Sequence, residues 1–184
     1  MTGIRQRHVA QPWESTTDMA VAAGAEALTA AGVEAKRLDL IIVATITPDL
    51  IFPTTATMVQ ARLGARHIGA FDLSAACSGF LNGLAIADGM IAAGRCKAAL
   101  VIGAERMTSL LDWTERATCV LFGDGAAAAV MVPSSTPGIL SANMHSDGSA
   151  PDLLRAPSKS TPYLHMDGSA VFKFAVRSLV DGGV

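Results

Sequence analysis

The sequence is poor in charge, aromatic rings and cysteine. Only 16% of its 184 residues are charged and 5% are aromatic, with a single tyrosine. Beside 51% hydrophobic residues, so little charge excludes a disordered chain, which would have too little to bury. A net charge of −2 with scattered Lys and Arg leaves no basic face for nucleic acid. The three cysteines, Cys77, Cys96 and Cys119, have neither C-x-x-C spacing nor an even number. They read as thiols of a reduced, cytoplasmic protein. No apolar run approaches the roughly 20 residues needed to span a bilayer. Leu100–Ala104 stops at Glu105, and Leu38–Ile46 is interrupted by Asp39. Met1–Arg7 has no apolar core of a secretory signal. His8, His67, His145 and His165 are dispersed without metal-like pairing, so no metal site is expected.

What is present is a succession of short buried elements in a chain of one ordinary domain's length. Ser15-Thr16-Thr17-Asp18 is a capped helix start, and apolar residues run from it to Ala31 before Gly32. Leu38–Thr45, apart from Asp39, and Ala98–Ala104 are apolar, β-branched runs, as in strands buried on both faces. Pro53 and Thr54 open a helix through Leu63 that Gly64 closes, and Ile68–Leu73 is a short strand. From Ser78 a helix presents Phe80, Leu84, Ala87 and Ile91 on one face and ends at Gly94. Thr118–Phe122 and Ala126–Val132 read as strands around a Gly123-Asp124-Gly125 turn. Pro137–Asn143 adds a strand, Ser149–Ser160 is a loop, and Ser169–Leu179 is a helix with Val171, Phe172, Ala175 and Val176 on its apolar face. Strands alternating with helices predict an α/β sandwich with a mainly parallel sheet.

Cys77 lies between a strand and a helix, within Leu73-Ser74-Ala75-Ala76-Cys77-Ser78-Gly79-Phe80. A thiol at a helix start feels the macrodipole and free backbone N–H groups, which favour thiolate. The small neighbours permit a sharp elbow, and the Cys77 N–H is available as an oxyanion donor. Spacing alone leaves two readings open, a nucleophile and a buried structural cysteine. Gly123-Asp124-Gly125 lacks both the Walker ending and G-x-G-x-x-G spacing, so it is read as a turn and not a phosphate loop.

Five segments in order carry a resemblance to the β-ketoacyl-ACP synthase III family. Thr2–His8 (TGIRQRH) resembles its TGIRERH stretch. Ala44–Asp49 (ATITPD) with Phe52–Ala56 (FPTTA) resembles its ATxTPD…FPSTA. Ala75–Phe80 is similar to the nucleophile motif AACSGF. Asp112–Thr118 with Leu121–Ala126 (LFGDGA) resembles DW-x-x-R…FGDGA, and Met166–Lys173 resembles M-x-G-x-x-VFK. Each segment alone is weak, but their order over nearly the whole chain is specific. Thiolase, HMG-CoA synthase and plant-type polyketide synthase match less well.

The resemblance implies a thiolase-like αβα sandwich half with a mainly parallel mixed sheet, residues 1–184 being an amino-terminal condensing-enzyme domain. It implies that the chain lacks the family's first strand and its carboxy-terminal half, stopping before the histidine, asparagine and glycine N–H that complete the family's site. It makes Cys77 the catalytic nucleophile and its N–H an oxyanion donor. Acyl-CoA would acylate Cys77, and the carbanion from decarboxylating malonyl-ACP would attack the thioester. Arg116 corresponds to a CoA-adenine contact, against the plain alternative of a solvated loop arginine. Phe52, Phe122, Leu164 and Phe172 match the acyl or pantetheine channel, Phe52 reaching into a partner subunit's pocket. Their alternative is core packing, the better reading for Phe172. Lys173 matches the carrier-protein entrance, although a lone helix lysine is usually just solvated. The implied protein is a cytoplasmic homodimer without permanent cofactor. A specialised homologue priming polyketides or transferring acyl groups, and a non-catalytic dimerisation or carrier-binding module, stay open. A cysteine hydrolase lacks a neighbouring histidine base.

Overall fold

The structure, a computed structural model, describes residues 3–136, 138–157 and 162–181. The chain divides into two compact units interleaved in sequence, one of residues 10–106 and 124–142 and one of residues 1–9, 107–123 and 143–184.

The first unit is a sheet between helices. Its strands are β1 (Leu40–Ala44), β2 (Gly69–Leu73), β3 (Ala99–Arg106) and β4 (Asp124–Met131), in the order β2-β1-β3-β4. β1 runs parallel to both β2 and β3, and β4 pairs antiparallel with β3. The alternation of side chains along β1 and β3 supplies two cores. Ile41, Val43, Leu100 and Ile102 pack with Ala20 and Leu28 of α1 (Thr16–Ala31) and Ala56 and Val59 of α2 (Thr55–Leu63). Leu40, Ile42, Ala99 and Val101 pack with Ala87 of α3 (Gly79–Ala92) on the other face. All five residues of β1 are buried, as its unbroken apolar run predicts. This is the expected mainly parallel, mixed sheet in three layers.

The second unit holds α4 (Arg116–Cys119), the two-residue antiparallel pair β5 (Leu154–Arg155) and β6 (His165–Met166), and α5 (Gly168–Asp181). No helix among the described residues is long and apolar enough to cross a membrane.

Several expectations are corrected. Residues 118–122 form no strand: the Glu115 carboxylate accepts from Ala117 N at 2.9 Å and caps α4, and Leu121 and Phe122 N–H turn back to Thr118 O. Local capping overrides the β-branched pattern. Gly123-Asp124-Gly125 is no turn between strands, because Asp124 and Gly125 already pair with Arg106 and Glu105 of β3. Gly123 instead allows close approach, since a Cβ there would lie 3.0 Å from His8 O. Residues 138–143 form no strand, and Pro137 lies outside the described residues. The 149–160 loop includes β5, and its residues 158–160 are likewise outside.

The expected face of α3 packs on the sheet, whereas that of α5 is redrawn. The residues α3 buries are Gly79, Gly83 and Ala87, with Phe80, Leu84 and Ile91 flanking them half-buried. An apolar-pattern search skips glycine, yet a Cβ on Gly83 would lie 2.9 Å from Val101 Cγ1. In α5, Phe172 is 70% exposed and so is no core residue. Val171 and Phe174, one turn apart, line a cavity with Leu153 and Leu154 instead.

The capping box is present as the sequence suggests. Asp18 N donates to Ser15 Oγ at 3.1 Å, and Ser15 N donates to Asp18 Oδ2 at 2.8 Å. The Ser15 N–H and then Arg62 hold the Asp18 carboxyl well below its ordinary 3.8, at about 2. A depressed carboxylate contributes stability that is present above its ordinary value and lost as pH falls through the folded one. Asp18→Asn is therefore expected to flatten the loss of stability between pH 3.8 and about 2, measured by urea unfolding against pH. An unchanged acid limb would show that Asp18 is not linked to folding.

Gly83→Ala is expected to lower stability by about 1 kcal/mol, overpacking against Val101 outweighing the gain in helix propensity. A more stable variant in the same assay would show that α3 does not seat as closely as described.

Candidate active site

The parallel strands end their carboxyl edge at a cavity of about 440 Å³. Its wall includes Ala44, Ala76, Cys77, Phe80, Gly103, Glu105 and Gly125. Such crevices beyond strand carboxyl ends are where open α/β sheets bind ligands. A larger cavity, about 840 Å³, lies where β1 and β3 begin and is lined by the Asp39–Arg66 pair but by no cysteine. Size therefore does not pick the site; chemistry does.

Cys77 reaches the cavity on a tight elbow. β2 ends at Leu73, a single 3₁₀ turn covers Ala76–Ser78, and α3 begins at Gly79. Ala76 has φ +43°, the one positive φ on a non-glycine residue among those described. This conformation costs roughly 1–2 kcal/mol, and Ala is small enough to bear it. Ser78 holds the turn from beyond, with its N and Oγ both donating to Ala75 O at 3.1 and 2.9 Å. Gly79 lets α3 press on β1, since a Cβ there would meet Ala44 Cβ at 3.0 Å. The small residues thus place the thiol where the chain changes direction.

The three thiols differ in their surroundings. Cys77 is exposed, Cys96 is buried, and Cys119 is intermediate in the second unit. Burial pushes the Cys96 thiol up, against a backbone N–H from Ala98. Cys96 therefore belongs to the packed core, and Cys77 does not.

Glu105 is the residue that the sequence pattern did not single out. It ends the apolar run of β3, and that break was its only signal. Its Oε1 accepts from Ile46 N at 2.8 Å, and its Oε2 accepts from Thr47 Oγ1 at 2.5 Å and Thr45 Oγ1 at 3.4 Å. Burial pushes the Glu105 carboxyl above the usual Glu range, although these hydrogen bonds favour its charged form.

The remaining candidates are dispersed in different settings. Phe52 is 82% exposed on the loop before α2 and is not in the cavity wall. Arg116, Phe122, Leu164, Phe172 and Lys173 all belong to the second unit. There Leu164 is buried with its N–H on Leu110 O at 2.8 Å, and Phe122 is half-buried. Arg116, Phe172 and Lys173 are exposed. No cluster of His, Cys, Asp and Glu able to hold a metal occurs among the described residues. His67, the one histidine of the first unit, precedes β2 and so stands at the opposite end of that strand from Cys77.

Comparison with known proteins bears on the fold. The profile of the 3-oxoacyl-[acyl-carrier-protein (ACP)] synthase III family matches residues 71–148, which include Cys77 and Glu105. The β-ketoacyl-[acyl-carrier-protein] synthase III of Bordetella petrii is 52% identical over 97% of this chain and 56% of its own length. The crystal structure of 3-oxoacyl-[acyl-carrier-protein] synthase III from Aquifex aeolicus is 48% identical, with a TM-score of 0.91 over 96% of this chain and 57% of that one. The priming β-ketosynthase of the R1128 polyketide pathway is 40% identical with a TM-score of 0.94, over 98% and 57%. The chain thus spans a little over half the length of the relatives it matches. The sheet and its two helical layers are those of the thiolase-like fold, and over 97% of its length the chain matches the 3-oxoacyl-ACP synthase III family.

Proposed function

We propose that residues 1–184 are the nucleophile-bearing, amino-terminal domain of a condensing enzyme that starts fatty acid synthesis. The observation that carries this reading is the exposed Cys77 thiol on its elbow at the strand-end cavity, in a chain whose Cys96 is buried. In the first half-reaction the Cys77 thiolate attacks the carbonyl of an acyl-CoA thioester. The tetrahedral oxyanion is received by the Cys77 N–H, and CoA leaves as its thiolate. In the second, malonyl-ACP loses carbon dioxide, and the electron pair released at its α-carbon attacks the acyl-Cys77 carbonyl. The new carbon–carbon bond forms as the carbon–sulfur bond to Cys77 breaks, giving 3-oxoacyl-ACP and a free thiolate.

Within this reading Arg116 contacts the adenine of CoA, and Phe122, Leu164 and Phe172 line the acyl or pantetheine channel. Phe52, out on its exposed loop, serves the channel of a second subunit in a homodimer. Lys173, exposed on α5, stands near the carrier-protein entrance. Acyl-CoA is a substrate, no resident cofactor is called for, and the cytoplasm is the expected setting. The polyketide-priming relative supports a second reading, a specialised homologue that primes polyketide synthesis.

Incubation with short acyl-CoAs followed by intact and peptide mass spectrometry tests the reading. One acyl mass is expected on Cys77, with uptake falling by about three orders of magnitude or more in Cys77→Ala. Acyl mass on Cys96 or Cys119 with Cys77 untouched would overturn it.

A further inference from the structure

The geometry points to Glu105 as a positioning residue that holds the Cys77 elbow in its reactive form through the 45–47 segment. The inference rests on the reading of Cys77 as the acyl acceptor. The side chain leaves the carboxyl end of β3 and crosses the end of β1, where it binds Ile46 N, Thr47 Oγ1 and Thr45 Oγ1. Thr47 Oγ1 is used a second time, accepting from Arg106 N at 2.8 Å, so the hydroxyl is fixed from both sides. Thr45 in turn donates its N–H to Leu73 O at 3.2 Å. Leu73 is the last residue of β2, and the strained Ala76 follows it three residues on. Three steps thus connect the carboxylate to the strand end from which the thiol is presented. Glu105 and Cys77 also share the wall of one cavity.

A carboxylate fits this task, and its isosteric amide does not. All the groups facing Glu105 from the segment can donate, and Ile46 N–H can do nothing else. Glutamine offers one acceptor oxygen and one NH₂ group, so either Ile46 N–H or the Thr47 hydroxyl loses its acceptor. A buried donor left unpaired shifts until it finds a partner, and here the shift is passed to the elbow. Such a carboxylate is also out of place if the protein needed only a stable fold. The segment is already anchored from α1, where Asp49 Oδ1 and Oδ2 accept from Thr16 N and Thr17 N at 2.9 Å and Thr16 Oγ1 donates to Thr47 O at 2.6 Å. Asp49 holds the same segment without bordering the cavity, which makes it the natural control.

The test is single-turnover acylation of the full chain by an acyl-CoA, followed by mass spectrometry, in Glu105→Gln, Thr47→Val, the double variant and Asp49→Asn. Glu105→Gln is expected to lower the maximal acylation rate about tenfold at an unchanged half-saturating concentration. Thr47→Val should do much the same, and the double variant should be no more than about twofold worse than either, since both break one path. Asp49→Asn should lose thermal stability yet acylate within about twofold of the parent chain. A Glu105→Gln rate within about twofold of the parent's, or losses that multiply in the double variant, overturns the proposal. Should the parent chain take up no acyl group, the reading of Cys77 as acceptor falls separately. Hydrogen exchange then decides the clamp: Glu105→Gln is expected to speed exchange at both Thr45 N–H and Ser78 N–H, and faster exchange confined to Ile46 overturns it.

Discussion

Everything in the first unit follows from the pairing of β1 with β3 in a sheet covered on both faces. A strand buried on each side must spend every side chain on packing, and Leu40–Ala44 has no polar residue to spare. Function is consequently displaced to the strand ends, where the chain emerges and its backbone groups need new partners. α3 must come close to the sheet to cover the Ile42 and Val101 face, so its inner stripe shrinks to Gly79, Gly83 and Ala87. That close approach brings the helix start, and Cys77 just ahead of it, up to the end of β1.

The backbone groups exposed at these ends are met by carboxylates from distant parts of the chain. Asp49 accepts from the first two N–H groups of α1, and Asp72 from Thr55 N and Ala56 N at the start of α2, at 2.8 and 2.7 Å. Negative charge at a helix start is favourable both for the unpaired N–H groups and for the macrodipole. Asp39 accepts from Lys97 N and Ala98 N, and these with Arg66 hold its carboxyl below the usual range. Three of the chain's 16 acidic residues thus fasten helix starts and a strand entry in place. Glu105 differs in facing the cavity that Cys77 also borders.

The parts legible in the sequence were those set by local pattern. Caps at Ser15 and Thr54, left-handed glycines at Gly32 and Gly64, and the apolar runs of β1 and β3 each depend on a few neighbouring residues. The Cys77 elbow was visible for the same reason, because four small residues around a thiol between strand and helix leave few conformations. Pattern failed where tertiary pairing decides. Nothing local says that Asp124 and Gly125 complete a ladder with β3, or that Leu154 and Arg155 find partners at His165 and Met166. Gly83 was invisible to a search for apolar faces. Glu105 marked only the end of a run, since its partners lie 58–60 residues away.

The central claim is that this architecture singles out one thiol of three for chemistry. Competitive labelling with limiting iodoacetamide, read by peptide mass spectrometry on the folded chain, tests it most directly. The account predicts that Cys77 labels first, about tenfold or more ahead of Cys119, and that Cys96 labels only on unfolding. Labelling of Cys96 or Cys119 ahead of Cys77 would contradict it.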